Sequence, residues 1–157
     1  MSDSSITLPL IIRAQYIKDL SFENPDPLAA FSQNIDTQPN ISVNIGAHAD
    51  NLGNNNFEVI LNIRVEAKRK EQVLFIAELS YGSVVGIDGI EESAAAPFVM
   101  IEAPHLIFPY ARNIISDMTR EGGFPPLLLA PVDFAALYKQ QQEQAATSGN
   151  NSGSPQS

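Results

Sequence analysis

The side chains of this chain that could do chemistry are few and poorly grouped. His48 and His105 are its two histidines. They lie far apart, and neither opens a metal-ligand spacing, so each reads as a surface or core histidine and no metal is assigned. Ser116-Asp117 sets a hydroxyl beside a carboxylate, and Asp88, Glu91 and Glu92 gather three carboxylates in one stretch. Acid–base or nucleophilic work would need those groups joined to a nucleophile elbow, a phosphate-cradling loop or a paired acid, and none accompanies them. The acidic stretch therefore reads as solvated. With no cysteine in the chain, disulfides, thiolate nucleophiles and thiolate metal sites are excluded. No catalytic residue and no cofactor is assigned, and the expectation is a protein that is not an enzyme.

The residues that stand out are suited to binding. Leu74, Ile76 and Glu78 fall on the outer side of a strand whose inner side is already apolar, which makes that outer face too apolar for plain solvent. Two readings fit it equally: a docking surface, or ordinary scattered aliphatics. Phe124 to Pro131 carries three prolines and the successive Leu127, Leu128 and Leu129, an extended apolar segment that must cover something. Phe31, Phe98, Phe108, Tyr110, Phe124 and Phe134 stand outside the strand alternation, either as core filling or as an exposed aromatic lining.

The elements that must position these residues are organised around Phe57 to Gly82. Phe57, Val59, Leu61, Ile63, Val65 and Ala67 alternate with polar residues, as do Val73, Phe75, Ala77, Leu79 and Tyr81. Side chains two apart on a strand share a face, so these are adjoining strands of one sheet. Placing Lys68-Arg69-Lys70 in the turn as a three-residue loop keeps odd residues opposite odd ones, with Ala67 facing Glu71, Ile60 beside Glu78 and Asn62 beside Ile76. Before this pair, the even residues from Leu8 to Phe22 form a long strand, bent near Lys18. Asp26 and Pro27 then start a short helical turn through Phe31, and Ile41 to Ala49 alternates as a further strand. The link from Asn24 to Asn40 is too long for a tight hairpin, so the first strand crosses over the sheet. From Val84 an acidic, glycine-broken loop leads to a short helix, Ala94 to Ala103, and a second helix begins near Pro109 and ends at Gly122-Gly123. Asp133 caps a last helix carrying Phe134, Leu137 and Tyr138. The fold class is thus α+β, a four-stranded antiparallel sheet with a crossover connection and helices on one face. One domain spans 1–145, and a disordered tail of Ser, Gly, Asn and Gln covers 146–157.

At 157 residues the chain can bury a single sizeable core of roughly two thirds of its unfolded surface. Its 18 acidic against 9 basic residues give a net charge of -9, which repels phosphate backbones, argues against a nucleic-acid partner and favours a basic one. The first residues do not resemble a signal peptide, and no run approaches the roughly 18 to 20 apolar residues of a membrane span. A cytoplasmic protein with no direct membrane insertion is expected.

Three segments carry a resemblance. Tyr16 to Pro25 (YIKDLSFENP), Leu106 to Arg112 (LIFPYAR) and Gly123 to Leu127 (GFPPL), the last followed by Ala130 to Tyr138 (APVDFAALY), resemble in composition and order the signature segments of the SecB protein-export chaperones. The resemblance covers roughly residues 8 to 140. It implies a homotetramer, a dimer of dimers, that binds unfolded precursor proteins in apolar grooves without ATP and delivers them to the SecA translocation ATPase. It further implies a SecA-binding face at Asp19, Glu23, Ile76 and Glu78, and a client groove for which Phe31, Phe75, Tyr110, Phe124, Leu127 and Phe134 are the candidates. Where many family members have cysteines this chain has none, with Ala77 in the sheet; holding needs no thiol. Two other readings fit the same residues: an acidic-faced scaffold module for one folded basic partner, and a carrier of an apolar small ligand.

Overall fold

The computed structural model describes residues 9–32 and 37–149. Its elements are β1 (Leu10–Glu23), α1 (Pro27–Ser32), β2 (Asn40–Gly53), β3 (Asn56–Arg69), β4 (Gln72–Ile87), α2 (Glu92–Glu121) and α3 (Phe134–Gly149). The four strands form one antiparallel sheet in the order β1-β4-β3-β2, so β1 does cross over to pair with β4. Leu8, residues 33–36 of the link and the tail from 150 onward lie outside the described residues.

Odd residues of β3 and β4 face the helices. Val59, Leu61, Ile63, Val65, Ala67, Phe75, Ala77, Leu79 and Val85 are all buried there. The parity expected of the pair holds, but through a different device. The turn is Lys70-Glu71, closed by the Arg69–Gln72 pair with Lys70 at φ 56°, and Leu74 is an extra residue between the Ala67–Phe75 and Lys68–Val73 pairs. A two-residue turn plus a one-residue bulge keeps odd opposite odd. The register therefore differs from the expected one: Ile60 faces Gly82 and Asn62 faces Ser80, while Glu78 faces Arg64. The same bulge turns Leu74 inward, where it is buried with the core and not on the outer face. β4 also continues past Val84 to Ile87, since Val85 and Ile87 extend the inner face under the start of α2.

β1 solves a parity problem of its own. Its pairing with β4 slips at Arg13 and again at Lys18, so Leu10 and Ile12 face inward, Gln15 and Ile17 take over that face, and Leu20 and Phe22 return to it. Between the slips Tyr16 is turned outward, and the expected even apolar face is broken there. Tyr16 crosses Gly82 and donates its hydroxyl to the Glu58 carboxylate on β3, which also receives Lys18 Nζ at 3.2 Å. Arg13 crosses Gly86 in the same way, its Nε donating to Asn56 Oδ1 at 2.8 Å. Edge strand and third strand are thus laced together over two residues that lack a Cβ.

α2 is one helix of 30 residues where two were expected, with Pro97, Pro104 and Pro109 inside it. Each proline removes a backbone donor and costs about 3 kcal/mol in a helix interior. The helix persists because Ala95, Val99, Ala103, Ile107, Ala111, Ile115 and Thr119, every fourth residue, are all buried. That i, i+4 ridge lies against the sheet, and breaking the helix at any proline would lift part of it away. α1 and α3 start as expected: Asp26 Oδ1 accepts from the Ala29 N–H at 3.1 Å and Asp133 Oδ1 from that of Ala136 at 3.0 Å. α3 runs to Gly149, beyond the expected end near Ala145, and the Thr147 and Ser148 hydroxyls donate to the Gln144 carbonyl.

Two outcomes follow from the laced outer face. A Cβ on Gly82 would stand 2.5 Å from the Tyr16 ring and 3.0 Å from Ile60, so Gly82→Ala should lower unfolding free energy by about 1–3 kcal/mol in denaturant titration, and should cost much less in a Tyr16→Ala background. Burial first, then the hydrogen bond and charge of Glu58, push the Tyr16 hydroxyl from 10.0 to about 12. The neutral phenol therefore stabilises the fold fully below its unfolded value and stops doing so as pH climbs from 10.0 through about 12. Glu58, held low by hydrogen bonds from Tyr16 and then Lys18, acts oppositely, its contribution fading as pH falls through its depressed folded value. In ultraviolet titration one tyrosine should ionise last, near pH 12, and Tyr16→Phe should remove that step; its persistence in the variant would contradict the assignment.

Candidate functional site

The outer face of the sheet brings Asp19, Glu23, Ile76 and Glu78 together at one end. Across the β1–β4 ladder, Glu23 stands opposite Ile76, Ser21 opposite Glu78 and Asp19 opposite Ser80. Asp19, Glu23 and Glu78 are exposed and Ile76 is half-buried between Glu23 and Glu66. The second lacing slip, at Lys18, is what returns Asp19 and Glu23 to this face. A shallow depression of about 380 Å3 opens here, lined by Asp19, Asn62, Arg64, Glu78 and Ser80 among others. On its floor the Ser80 hydroxyl donates to Asn62 Oδ1 at 2.7 Å.

The register also reveals a cation absent from the candidates named on sequence. Arg64 Nε donates to Glu78 Oε1 at 3.0 Å and its Nη1 to Glu66 Oε2 at 3.0 Å, and Lys68 reaches the other Glu66 oxygen at 3.2 Å. Hydrogen bonds from Arg64 and then Lys68 hold the Glu66 carboxyl below the usual carboxylate range, and both carboxylates raise Arg64 above its own. Arg64 was visible as an outer-face residue from the alternation, but its pairing with Glu78 depends on the bulge at Leu74, which parity alone does not disclose.

On the opposite side of β4, Phe31, Phe75, Phe124 and Leu127 converge. Phe75 and Phe124 have ring centroids 4.9 Å apart, and Phe31 lies 5.2 Å from Phe124. Phe22, absent from the sequence candidates, stacks on Phe75 at 5.5 Å; its place at the end of the inward face of β1 was the available signal. Beside this cluster runs an apolar groove of about 280 Å3 whose floor is Leu74 and Phe75 and whose walls are Pro39 and Ile41 on one side and Phe124 to Leu127 on the other. The proline-bearing segment forms neither helix nor strand, as expected. Thr119, the last residue of the buried ridge, pins it: its hydroxyl accepts the Leu127 N–H at 2.9 Å and its carbonyl that of Phe124 at 3.0 Å. Gly123, at φ 92°, turns the chain out of α2 and lets the Phe31 ring approach where a Cβ would stand.

Two candidates do not join the groove. Phe134 is only 3% exposed and meets Phe108 edge-on at 5.7 Å, as the first helical residue after the Asp133 cap. Tyr110 is 54% exposed on a different face of α2, where it borders a second depression with Tyr81, Ile114 and Leu128. His105 is exposed, and His48 Nδ1 lies 3.4 Å from the Asn62 amide. Among the described residues no three His, Asp or Glu side chains are grouped to hold a metal, and no helix is long and apolar enough to cross a membrane.

Comparison with known proteins agrees with the geometry. The sequence pattern of the family described as preprotein translocase subunit SecB matches residues 4–145. The protein-export protein SecB of Afipia carboxidovorans is 50% identical over 135 residues, covering 86% of this chain and 83% of that protein. That of Rhodospirillum rubrum is 44% identical over 150 residues, 92% of each chain. Among solved structures, a SecB-like chaperone of Mycobacterium tuberculosis, in complex with a peptide from the HigA1 antitoxin, superposes with a TM-score of 0.64 at 15% identity, covering 79% of this chain and 91% of that one. By sequence and by fold, this chain belongs to the SecB family.

Proposed function

We propose that the two faces of the sheet divide the work of protein export between them. The chain is an export chaperone and not an enzyme, as its family membership establishes. In this reading the aromatic groove holds unfolded precursors without ATP, and the outer face docks the SecA translocation ATPase through Asp19, Glu23, Ile76 and Glu78. The observation that carries it is the alternation of β4 itself: Phe75 and Ala77 face the groove side, Ile76 and Glu78 the acidic side. An open apolar groove makes no demand on client sequence, so many unfolded chains can bind weakly at each contact and tightly through several. The cytoplasm, where precursors await export, is the compartment this implies.

Assembly follows from the surface left uncovered. Leu106, Tyr110 and Leu128 are exposed on the helix side, with Ile17 on the inner face of the edge strand beside Tyr81. A second copy of this chain is the occupant we assign to that surface, and a dimer of dimers with α2 between protomers the assembly. Ile115, in the buried ridge of α2, is by contrast fully buried within the protomer and takes no part in that surface. Sedimentation at micromolar concentration should give a tetramer, and Leu106→Glu with Tyr110→Glu should reduce its mass; a wild-type monomer would overturn the assignment.

The docking face is tested by charge. Exposed pairs are worth about 0.2–1 kcal/mol each, so Asp19→Ala or Glu78→Ala alone should weaken SecA binding modestly and the pair together tenfold or more. Arg64 competes internally for Glu78 and Glu66, so Arg64→Ala should strengthen SecA binding by about two- to fivefold. Affinity for an unfolded client should be unchanged in all of these variants. Equal loss of both affinities in the double variant, or SecA binding that ignores it, would remove this face from the function. SecA binding without suppression of client aggregation would instead make the chain an acidic interaction module.

A further inference from the structure

The groove has two walls, and the apolar contacts that line them do not by themselves fix a distance, because burial is non-directional. Directional bonds must do so. On the Phe124–Leu127 side they come from Thr119. On the other side the β2–β3 ladder fixes Ile41, which pairs with Ala67, and the segment ahead of β2 is held by the side chain of Arg69, at the end of β3. Its Nε donates to the Thr37 carbonyl at 3.1 Å and its Nη1, more weakly, to the Ala30 carbonyl at 3.5 Å. Thr37 leads directly into the Pro39–Ile41 wall, and Ala30 precedes Phe31, whose ring rests on Phe124. Arg69 is also the one charged side chain among the residues lining the groove. A guanidinium is a rigid fork that can hold two acceptors at set angles, which an ammonium cannot do.

We propose that Arg69 is a positioning residue for client binding: by fastening Thr37 and Ala30 to the end of β3 it sets the width of the groove between Pro39, just ahead of β2, and Phe124–Leu127. This rests on the groove being the client site, but the width can be read without any client. The chain contains no cysteine, so Pro39→Cys and Pro126→Cys can carry nitroxide labels with no background, and diluting labelled with unlabelled protein isolates the distance within one protomer. Pulsed dipolar spectroscopy should give a single narrow distance distribution with Arg69 present, and a broader, longer one in Arg69→Met, which keeps an apolar stem. Affinity for a reduced and alkylated, permanently unfolded test protein should fall about tenfold in Arg69→Met, the scale of one charge-assisted hydrogen bond. SecA affinity should not change. Arg69→Lys, which keeps the charge but not the fork, should resemble Arg69→Met in both readouts, and it carries the test alone if the Met variant fails to fold. An unchanged distance distribution in Arg69→Met, a broadened one with unchanged client affinity, or full restoration by Lys would each overturn the proposal. If the groove were not the client site, the distribution would still broaden while client affinity stayed constant, and blocking the groove by bulky labelling of the two introduced thiols would leave the client bound.

Discussion

The buried contact between α2 and the odd-numbered side of β3 and β4 is the constraint to which the other elements conform. Every fourth residue of α2 from Ala95 to Thr119 is buried against that side, and a fully buried aliphatic such as Val99, Ile107 or Ile115 contributes about 1.5–3 kcal/mol. A strand residue can face only one way, so once odd residues are committed to the helix, even residues must form the other surface. Where the chain would fall out of step, it inserts one residue: Leu74 after the tight turn, and Arg13 and Lys18 in the edge strand. The same constraint keeps α2 continuous through three prolines.

The two surfaces of the proposed function are laid out by this parity. A single strand supplies floor residues to an apolar groove on one side and a carboxylate with its aliphatic neighbour to the other, so the groove and the acidic face lie on opposite sides of one sheet without sharing side chains. The bulges decide details that matter to each. The one at Leu74 puts that side chain on the groove floor and brings Glu78 opposite Arg64; the one at Lys18 restores Asp19 and Glu23 to the outer face. At the end of that face distant from Ile76, Tyr16 and Arg13 cross over glycines to reach β3.

The sheet, its crossover, the caps at Asp26 and Asp133 and the grouping of the four outer-face residues were legible because each rests on local periodicity or on a family signature. The register was not, since parity admits several offsets and the choice was made by a bulge whose only sequence trace is a leucine on the wrong side of the alternation. The unbroken α2 was missed for a similar reason: proline was weighed as a local breaker, whereas the ridge of small and branched residues four apart, read over the whole length, outweighs it. Of the groove candidates, Phe31, Phe75, Phe124 and Leu127 converge, whereas Phe134 and Tyr110 needed the helix rotation to be known, and Phe22 looked like ordinary strand core until the ring contacts placed it. Arg69 gave no sequence signal beyond its place in a charged turn, because its partners are backbone carbonyls.

If groove and outer face are separate sites on opposite sides of one sheet, the chaperone must be able to hold a client and meet SecA at once. Titrating SecA into chaperone saturated with a permanently unfolded client, followed by calorimetry and by mass of the complex, tests this most directly. A ternary complex is expected, in which SecA binds with the affinity it shows for the free chaperone and no client is released on docking. Displacement of the client by SecA in proportion to its binding would contradict it, because it would place both ligands on the same surface.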